Sequence, residues 1–277
     1  MRSFCYLNGK IIPLKQAKIS VEDIGILRGY GVFDILRTYG GKPFQLAEHY
    51  KRWTNSAKIL NLKIPLTIHQ LEAIIDKLLK LNRMSEARVR IVLTGGKAID
   101  GMGHNPKNFT IFILTEKLIA LPASLYKNGA SLITIEHQRN LPEAKIINYQ
   151  TGIKYNPLKE KNKAVEILYV SNGGILEGMG SNFFIFRGDT LITPKENILK
   201  GTTRNLILKL ARGRFKIKAR DVKVSELDKA TECFLTSITK GVLPIVRIDK
   251  QRIGKGKVGE NTKILMELFN NFTRNHR

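Results

Sequence analysis

After residue 129 the sequence is written almost entirely in strands. The runs "SLITIEHQ", "AVEILYVS", "SNFFIFRGDTLITP", "ECFLTSI" and "VLPIVRID" are rich in β-branched and aromatic residues, the types that suit pleated, buried surfaces. Helical patterns interrupt them at about 202–212 and 261–273. A segment with this many strands must stack them or close them, so residues 129–277 are expected to form a β-rich domain.

The first half is organised differently. Phe4–Leu7 and Lys10–Pro13 flank Asn8-Gly9, which predicts a hairpin. A second hairpin is expected from "VFDILRT", a Gly40-Gly41 turn and "KPFQL". Tyr50, Trp53, Ala57 and Leu60 are spaced as one face of a helix starting near Ala47. Thr67 is placed to cap a further helix whose stripe is Leu71, Ile74, Ile75 and Leu78. The strands "RVRIVLT" and "NFTIFILTE" complete a small α+β domain over 1–118. "KLIALPASLYKNG" contains Pro and Gly and has little periodicity, which predicts a linker at 119–128.

With 277 residues the chain can build two cores. No apolar run approaches the roughly 20 residues needed to span a bilayer, and "MRSFCYLNGKIIPL" does not read as a signal peptide. Cys5 and Cys233 lie far apart, without metal or redox spacing; two buried thiols in a reducing cytoplasm is the expectation. The charge balance is unusual, with 47 Lys+Arg against 23 Asp+Glu and a net charge of +24. Such a field attracts anions and raises the alternative of a basic nucleic-acid-binding protein. Against that alternative, the lysines are spread along the chain and are locally dense only in "KEKNK" and "GRFKIKARDVK". No zinc spacing, basic zipper or glycine–aromatic RNA signature occurs. Small anions, rather than a specific nucleic acid or a membrane, are the expected partners.

"GKGKVG" at 254–259 matches the dinucleotide fingerprint in letters, but too little chain follows for the rest of the βαβ unit. The histidines at 49, 69, 104, 137 and 276 show no ligand spacing, so no metal site is expected. Neither a G-x-S-x-G elbow nor a Walker loop is present.

Other stretches place chemistry where packing alone would not. "EAKIINY" sets Lys145 among apolar neighbours. An amine sheltered from water becomes a nucleophile or base near neutral pH, although a snorkelling or paired lysine would satisfy the same pattern. "ILEGMGSNFF" buries Glu177, which then requires a partner. "LKGTTRNLIL" opens a helix on Gly201-Thr202-Thr203, either as ordinary capping or as an anion nest. Ser237-Ile238-Thr239 forms another hydroxyl-rich turn at a strand end. A reactive lysine, a buried acid and a phosphate-sized nest are together what pyridoxal phosphate requires.

In order, "RGYGVFDILRTYGGKPFQLAEHYKRWTNSAKIL", "EAKIINY", "ILEGMGSNFF", "LKGTTRNLIL" and "FLTSITKGVLPI" resemble the class IV, or fold-type IV, pyridoxal-phosphate aminotransferases. This family includes D-amino-acid and branched-chain aminotransferases and 4-amino-4-deoxychorismate lyases. The resemblance runs from about residue 4 to 260. It implies a homodimer with a small N-terminal α+β domain, a larger C-terminal pseudo-barrel, and the cofactor between them. It also implies Lys145 as the Schiff-base lysine and proton carrier, Glu177 as the acid facing the pyridine nitrogen, and Arg52 as a phosphate ligand. Thr202, Thr203, Ile238 and Thr239 correspond to phosphate contacts, Ile238 through its N–H alone. Tyr149 corresponds to a tyrosine that bonds the cofactor's phenolic oxygen. The reaction implied is ping-pong transfer of an amino group between an amino acid and a 2-oxo acid.

Substrate choice depends on the site rather than on the fold. The loop "GGKAIDGMGHNP" lacks the arginine of the Arg-Asn-His-type cluster that the resemblance associates with D-amino-acid enzymes. Ser181-Asn182, in place of Glu-Asn, is closer to the D-specific and lyase branches. On that pair, D-amino acids stand ahead of branched-chain L-amino acids, with the lyase third. Arg28 and Arg90 are the candidate substrate-carboxylate binders; a solvated loop arginine and a strand-surface charge are the alternatives.

Overall fold

The computed structural model describes residues 3–276 and divides them into two compact units. The first holds the residues up to Ile119, then Ala144–Asn148, then the chain end from Arg274; the second holds Ala120–Glu143 and Tyr149–Thr273. One boundary with a linker at 119–128 therefore does not describe the chain. Helix α4 (Ala123–Asn128) lies inside the expected linker, and Leu121, Leu125 and Tyr126 around it pack on the second unit's core. Residues 144–148, expected in the C-terminal domain, belong to the first unit because their backbone pairs there.

The first unit contains strands β1 (Phe4–Leu7), β2 (Lys10–Pro13), β3 (Gly31–Tyr39), β4 (Lys42–Pro43), β5 (Ala87–Thr94) and β6 (Thr110–Lys117). They form an antiparallel sheet in the order β2-β1-β6-β5-β3-β4. Helices α2 (Leu46–Ile59) and α3 (Ile68–Asn82) pack on it, α2 against β3 and α3 against β1 and β6. Along β5, Ala87, Val89, Ile91 and Leu93 alternate into a core with Trp53, Leu71, Ile75 and Leu78, as period two on the strand and period 3.6 on the helices require. A short helix, α1 (Ile24–Arg28), precedes β3 and is capped by the Asp23 carboxylate, which accepts from the Gly25 N–H at 2.7 Å.

The second unit contains β7 (Ala130–Glu136), β8 (Glu166–Ser171), β9 (Gly174–Gly178), β10 (Ser181–Arg187), β11 (Thr190–Thr193), β12 (Lys216–Ala219), β13 (Val222–Lys223), β14 (Glu232–Ser237), β15 (Gly241–Ile248) and β16 (Gln251–Arg252). Its helices are α4, α5 (Gln150–Lys154), α6 (Asn156–Lys161), α7 (Thr202–Ala211) and α8 (Glu260–Arg274). Strands β10, β14, β15, β7, β8 and β9 are hydrogen-bonded in succession, and β9 pairs back onto β10, closing a barrel. Strand β10 is buried on both faces. Phe183 and Ile185 join one apolar cluster, while Phe184 stacks on Phe234 at 4.7 Å, which accounts for the unbroken run "NFFIF".

Strand β7 runs parallel to both β15 and β8. Parallel neighbours cannot be joined by a tight hairpin. The β7–β8 connection, residues 137–165, is accordingly long, and it carries Lys145, α5 and α6. The α+β class expected from the sequence matches this architecture.

Helix α3 begins in a full capping box. The Thr67 hydroxyl accepts from the Gln70 N–H at 3.3 Å, and the Gln70 side chain accepts from the Thr67 N–H at 2.8 Å. Thr67→Ala is expected to cost about 1 kcal/mol, seen as a lower urea midpoint at unchanged slope.

Candidate active site

In the first unit, Lys145 is fixed through its backbone. Its carbonyl accepts from the Phe33 N–H at 2.9 Å and its N–H donates to Ser56 Oγ at 3.0 Å. Next to it the Ile147 N–H donates to the Gly31 carbonyl at 3.1 Å, and Ile146 bridges Val32. A Cβ on Gly31 would lie 2.8 Å from the Leu93 carbonyl oxygen and 3.0 Å from Ile147 Cδ1, so glycine permits this approach. Ala144 and Ile146 enter the apolar core. Alternation turns Lys145 the other way, and its Nζ lies 4.6 Å from the centroid of the Phe33 ring.

Arg52 on α2 makes a bidentate ion pair with Asp34 of β3, Nε and Nη2 donating at 2.8 and 2.7 Å. His49, one turn earlier, places Nδ1 2.7 Å from Asp34 Oδ1. An ionised carboxylate only accepts, so Nδ1 carries the proton. Burial alone would raise the Asp34 carboxyl, but Arg52 and His49 outweigh it and hold it well below the usual carboxylate range. Burial pushes the His49 imidazole down; Asp34 opposes this, while Arg52 and Lys145 add to it. The pairing with Asp34 leaves the Nη1 edge of Arg52 available to an anion.

Arg28 is exposed at the end of α1, with Nε 3.4 Å from Met102 Sδ and Nη1 donating to the Leu27 carbonyl. Arg90 shares the Glu116 carboxylate with Arg88, at 3.3 and 3.1 Å. That pairing fits the strand-surface alternative.

In the second unit, Glu177 on β9 is buried and held at both oxygens. Arg139 Nε donates to Oε1 at 2.8 Å, and the Leu199 N–H donates to Oε2 at 3.0 Å. A guanidinium and an N–H donor both favour the charged form of the carboxylate. Thr202 and Thr203 begin α7, preceded by Gly201 as N-cap. The Thr203 hydroxyl is buried without a hydrogen-bond partner among the described residues. Ile238 and Thr239 lie in the turn between β14 and β15. Lys240 anchors that turn: its N–H donates to Ser237 Oγ, and its carbonyl accepts from the Tyr126 hydroxyl at 2.9 Å. Its Nζ pairs with buried Glu166 at 2.7 Å. Tyr149 is half-buried at the start of α5, near enough to Tyr169 to reinforce the burial that pushes that phenol up to about 12.

Arg139, Asp34, His49, Glu166 and Lys240 are absent from the sequence-derived site. Asp34 in "VFDILRT" and Glu166 in "AVEILYVS" carried the same signal as Glu177, an acid inside an apolar strand. Arg139 carried none, since it stands among polar residues in "EHQRN". "GKGKVG" forms the turn between β16 and α8. Among the described residues no cluster of His, Cys, Asp or Glu could hold a metal ion.

The chemistry of this donor set suits a phosphorylated pyridine aldehyde: a sheltered lysine, a fixed carboxylate, and a glycine-entered helix start with an orphaned hydroxyl. The fold is that of the fold-type IV pyridoxal-phosphate enzymes. The chain belongs to the amino-transferase class IV family, whose sequence model matches residues 31–248, and is a pyridoxal-phosphate-dependent transaminase. It is 34% identical to a putative branched-chain-amino-acid aminotransferase of Methanocaldococcus jannaschii, over 95% of this chain and 94% of the relative. It is 29% identical to a D-alanine aminotransferase of Staphylococcus haemolyticus, over 96% of each chain. The solved T.th. branched-chain amino acid aminotransferase with pyridoxamine 5'-phosphate superposes with a TM-score of 0.90 at 27% identity, covering 100% of this chain and 96% of that one.

His49 generates a pH prediction. Its folded-state proton affinity is lowered, so between that value and the unfolded value of about 6.5 the unfolded chain binds more protons and stability rises with pH. Thermal melts should show stability falling as pH drops below about 6.5, and His49→Gln should flatten that decline.

Proposed function

We propose that this transaminase exchanges amino groups between branched-chain L-amino acids and 2-oxo acids, with D-amino acids as the second reading. The observation that carries the order is the loop 95–108. It offers no arginine of its own, so Arg28 is left as the cation for the substrate carboxylate, and exposed Met102 beside it offers an apolar contact to an aliphatic side chain. This reverses the order suggested by Ser181-Asn182 alone. The D-reading is supported by the match to the D-alanine aminotransferase along nearly its whole length.

Bound pyridoxal phosphate supplies an aldehyde that exchanges between amines and a ring that accepts the electron pair left at Cα. Lys145 would be the attachment point for the aldehyde and afterwards the base that takes the proton from the substrate Cα and delivers it to the cofactor carbon on the far side of the amino nitrogen. Glu177, kept anionic by Arg139 and the Leu199 N–H, holds the ring nitrogen protonated. The Nη1 edge of Arg52, the N–H groups at Thr202, Thr203, Ile238 and Thr239, and the Thr203 hydroxyl bind the phosphate. The Tyr149 hydroxyl serves the phenolic oxygen, and Arg28 the substrate carboxylate.

Exposed Val21, Ile26, Leu27, Ile99 and Met102 give the first unit an apolar surface that supports a homodimer. Size-exclusion chromatography with light scattering should return twice the monomer mass; a monomer refutes this. The buried, unbridged Cys5 and Cys233 support a cytoplasmic location, which fractionation of the source cells tests.

The defining experiment offers single D- and L-amino acids and follows the cofactor spectrum. L-leucine, L-isoleucine and L-valine should convert it, and Lys145→Ala should abolish conversion. Borohydride should fix the cofactor on the peptide containing Lys145. Conversion by D-alanine alone selects the second reading. Pyruvate release from aminodeoxychorismate with no amino-acid conversion points to the lyase instead.

A further inference from the structure

Strands β9 and β10 close the barrel through two residue pairs, and one of these sets Glu177 opposite Asn182. The two cross-strand partners grip the same short loop. Glu177 Oε2 accepts from the Leu199 N–H at 3.0 Å. Asn182 Nδ2 donates to the Leu199 carbonyl at 2.7 Å, and Asn182 Oδ1 accepts from the Gly201 N–H at 3.2 Å. Asn182 is 4% exposed and Leu199 and Gly201 are also buried, so water does not compete for these bonds.

The position requires a donor and an acceptor on one short planar group, which an amide supplies. Gly201 is required in turn, since a Cβ there would lie 2.2 Å from Asn182 Oδ1. Gly201 caps α7 without a side-chain hydrogen bond of its own, and its N–H is held from outside the helix by Asn182. That helix start carries the orphaned Thr203 hydroxyl.

We infer that Asn182 is a positioning residue that fixes the anion nest at the start of α7 relative to Glu177. It thereby sets the spacing between the partner of the ring nitrogen and the partner of the phosphate. The inference rests on the pyridoxal phosphate reading above. Its two side-chain bonds go to Leu199 and Gly201, which lead into the nest, so its loss is read chiefly at the phosphate end.

The test titrates wild type, Asn182→Ala and Asn182→Asp with pyridoxal phosphate and with unphosphorylated pyridoxal, following bound cofactor by absorbance, with urea midpoints alongside. Removing both side-chain bonds should weaken pyridoxal phosphate about tenfold in Asn182→Ala, with pyridoxal affinity within about twofold of wild type. Asn182→Asp preserves shape and the bond from Gly201, loses the donor and adds a negative charge. It should weaken pyridoxal phosphate at least as much as Asn182→Ala does and spare pyridoxal, and it serves if the alanine variant fails to fold. An unchanged affinity for pyridoxal phosphate, or an equal loss for both ligands, overturns the inference while leaving the cofactor reading intact. A wild type that binds neither ligand overturns both.

Discussion

The chain places Lys145 by borrowing a strand edge. Residues 145–147 pair with the first residues of β3 through Phe33 N–H to the Lys145 carbonyl and Ile147 N–H to the Gly31 carbonyl. A segment whose chain neighbours belong to the second unit is thereby built into the first. Backbone pairing fixes direction as well as position. With Ala144 and Ile146 committed to the core, the intervening side chain must face away from it. The Ser56 hydroxyl satisfies the Lys145 N–H, leaving no buried donor to pull the segment out of register.

Buried charge imposes the second constraint. Asp34, Glu166 and Glu177 are each nearly or wholly excluded from solvent, where an unpaired carboxylate would be untenable. Each has its own cation: Arg52 with His49 for Asp34, Lys240 for Glu166 and Arg139 for Glu177. These pairs orient groups more than they add stability, because desolvation consumes much of the Coulomb gain. For Arg52 the consequence is directional, since Asp34 occupies one edge of the guanidinium and so fixes its orientation. The same arrangement keeps His49 neutral near pH 7, so the charge around Lys145 does not change with protonation of that ring.

Long periodic segments and acids inside apolar strands were legible in the sequence. The β1–β2 hairpin, α2 and α3 announce themselves through Asn8-Gly9, the Tyr50/Trp53/Ala57 stripe and the Thr67 cap. Helices α1, α4, α5 and α6 do not, because five or six residues are too few to show a period and tertiary contacts decide them. Strand β12 is an edge strand with exposed Lys216 and Lys218 and so lacks apolar alternation. Lys145 and Glu177 were visible as charges out of place. Arg139 was not, since its role comes from a contact made 38 positions along the chain. The return of 144–148 to the first unit left no mark in composition either, because pairing partners distant in sequence leave none.

Barrel closure shows why structural and chemical demands fall on the same residues. The β9–β10 seam has two residue pairs, too few backbone bonds to hold a barrel shut by themselves. Side chains complete it. Glu166 accepts from the Gly180 N–H and the Ser181 hydroxyl at 2.6 and 2.8 Å, fastening the turn that joins the two strands. Asn182 and Glu177 tie the seam to the 199–201 loop, and Lys240 ties Glu166 to the turn after β14. A seam built this way must be polar where a barrel interior would ordinarily be apolar. Being polar, it supplies oriented acceptors and N–H groups where a charged ligand needs them. The residues that make the fold close are therefore ones whose donors and acceptors are fixed in direction.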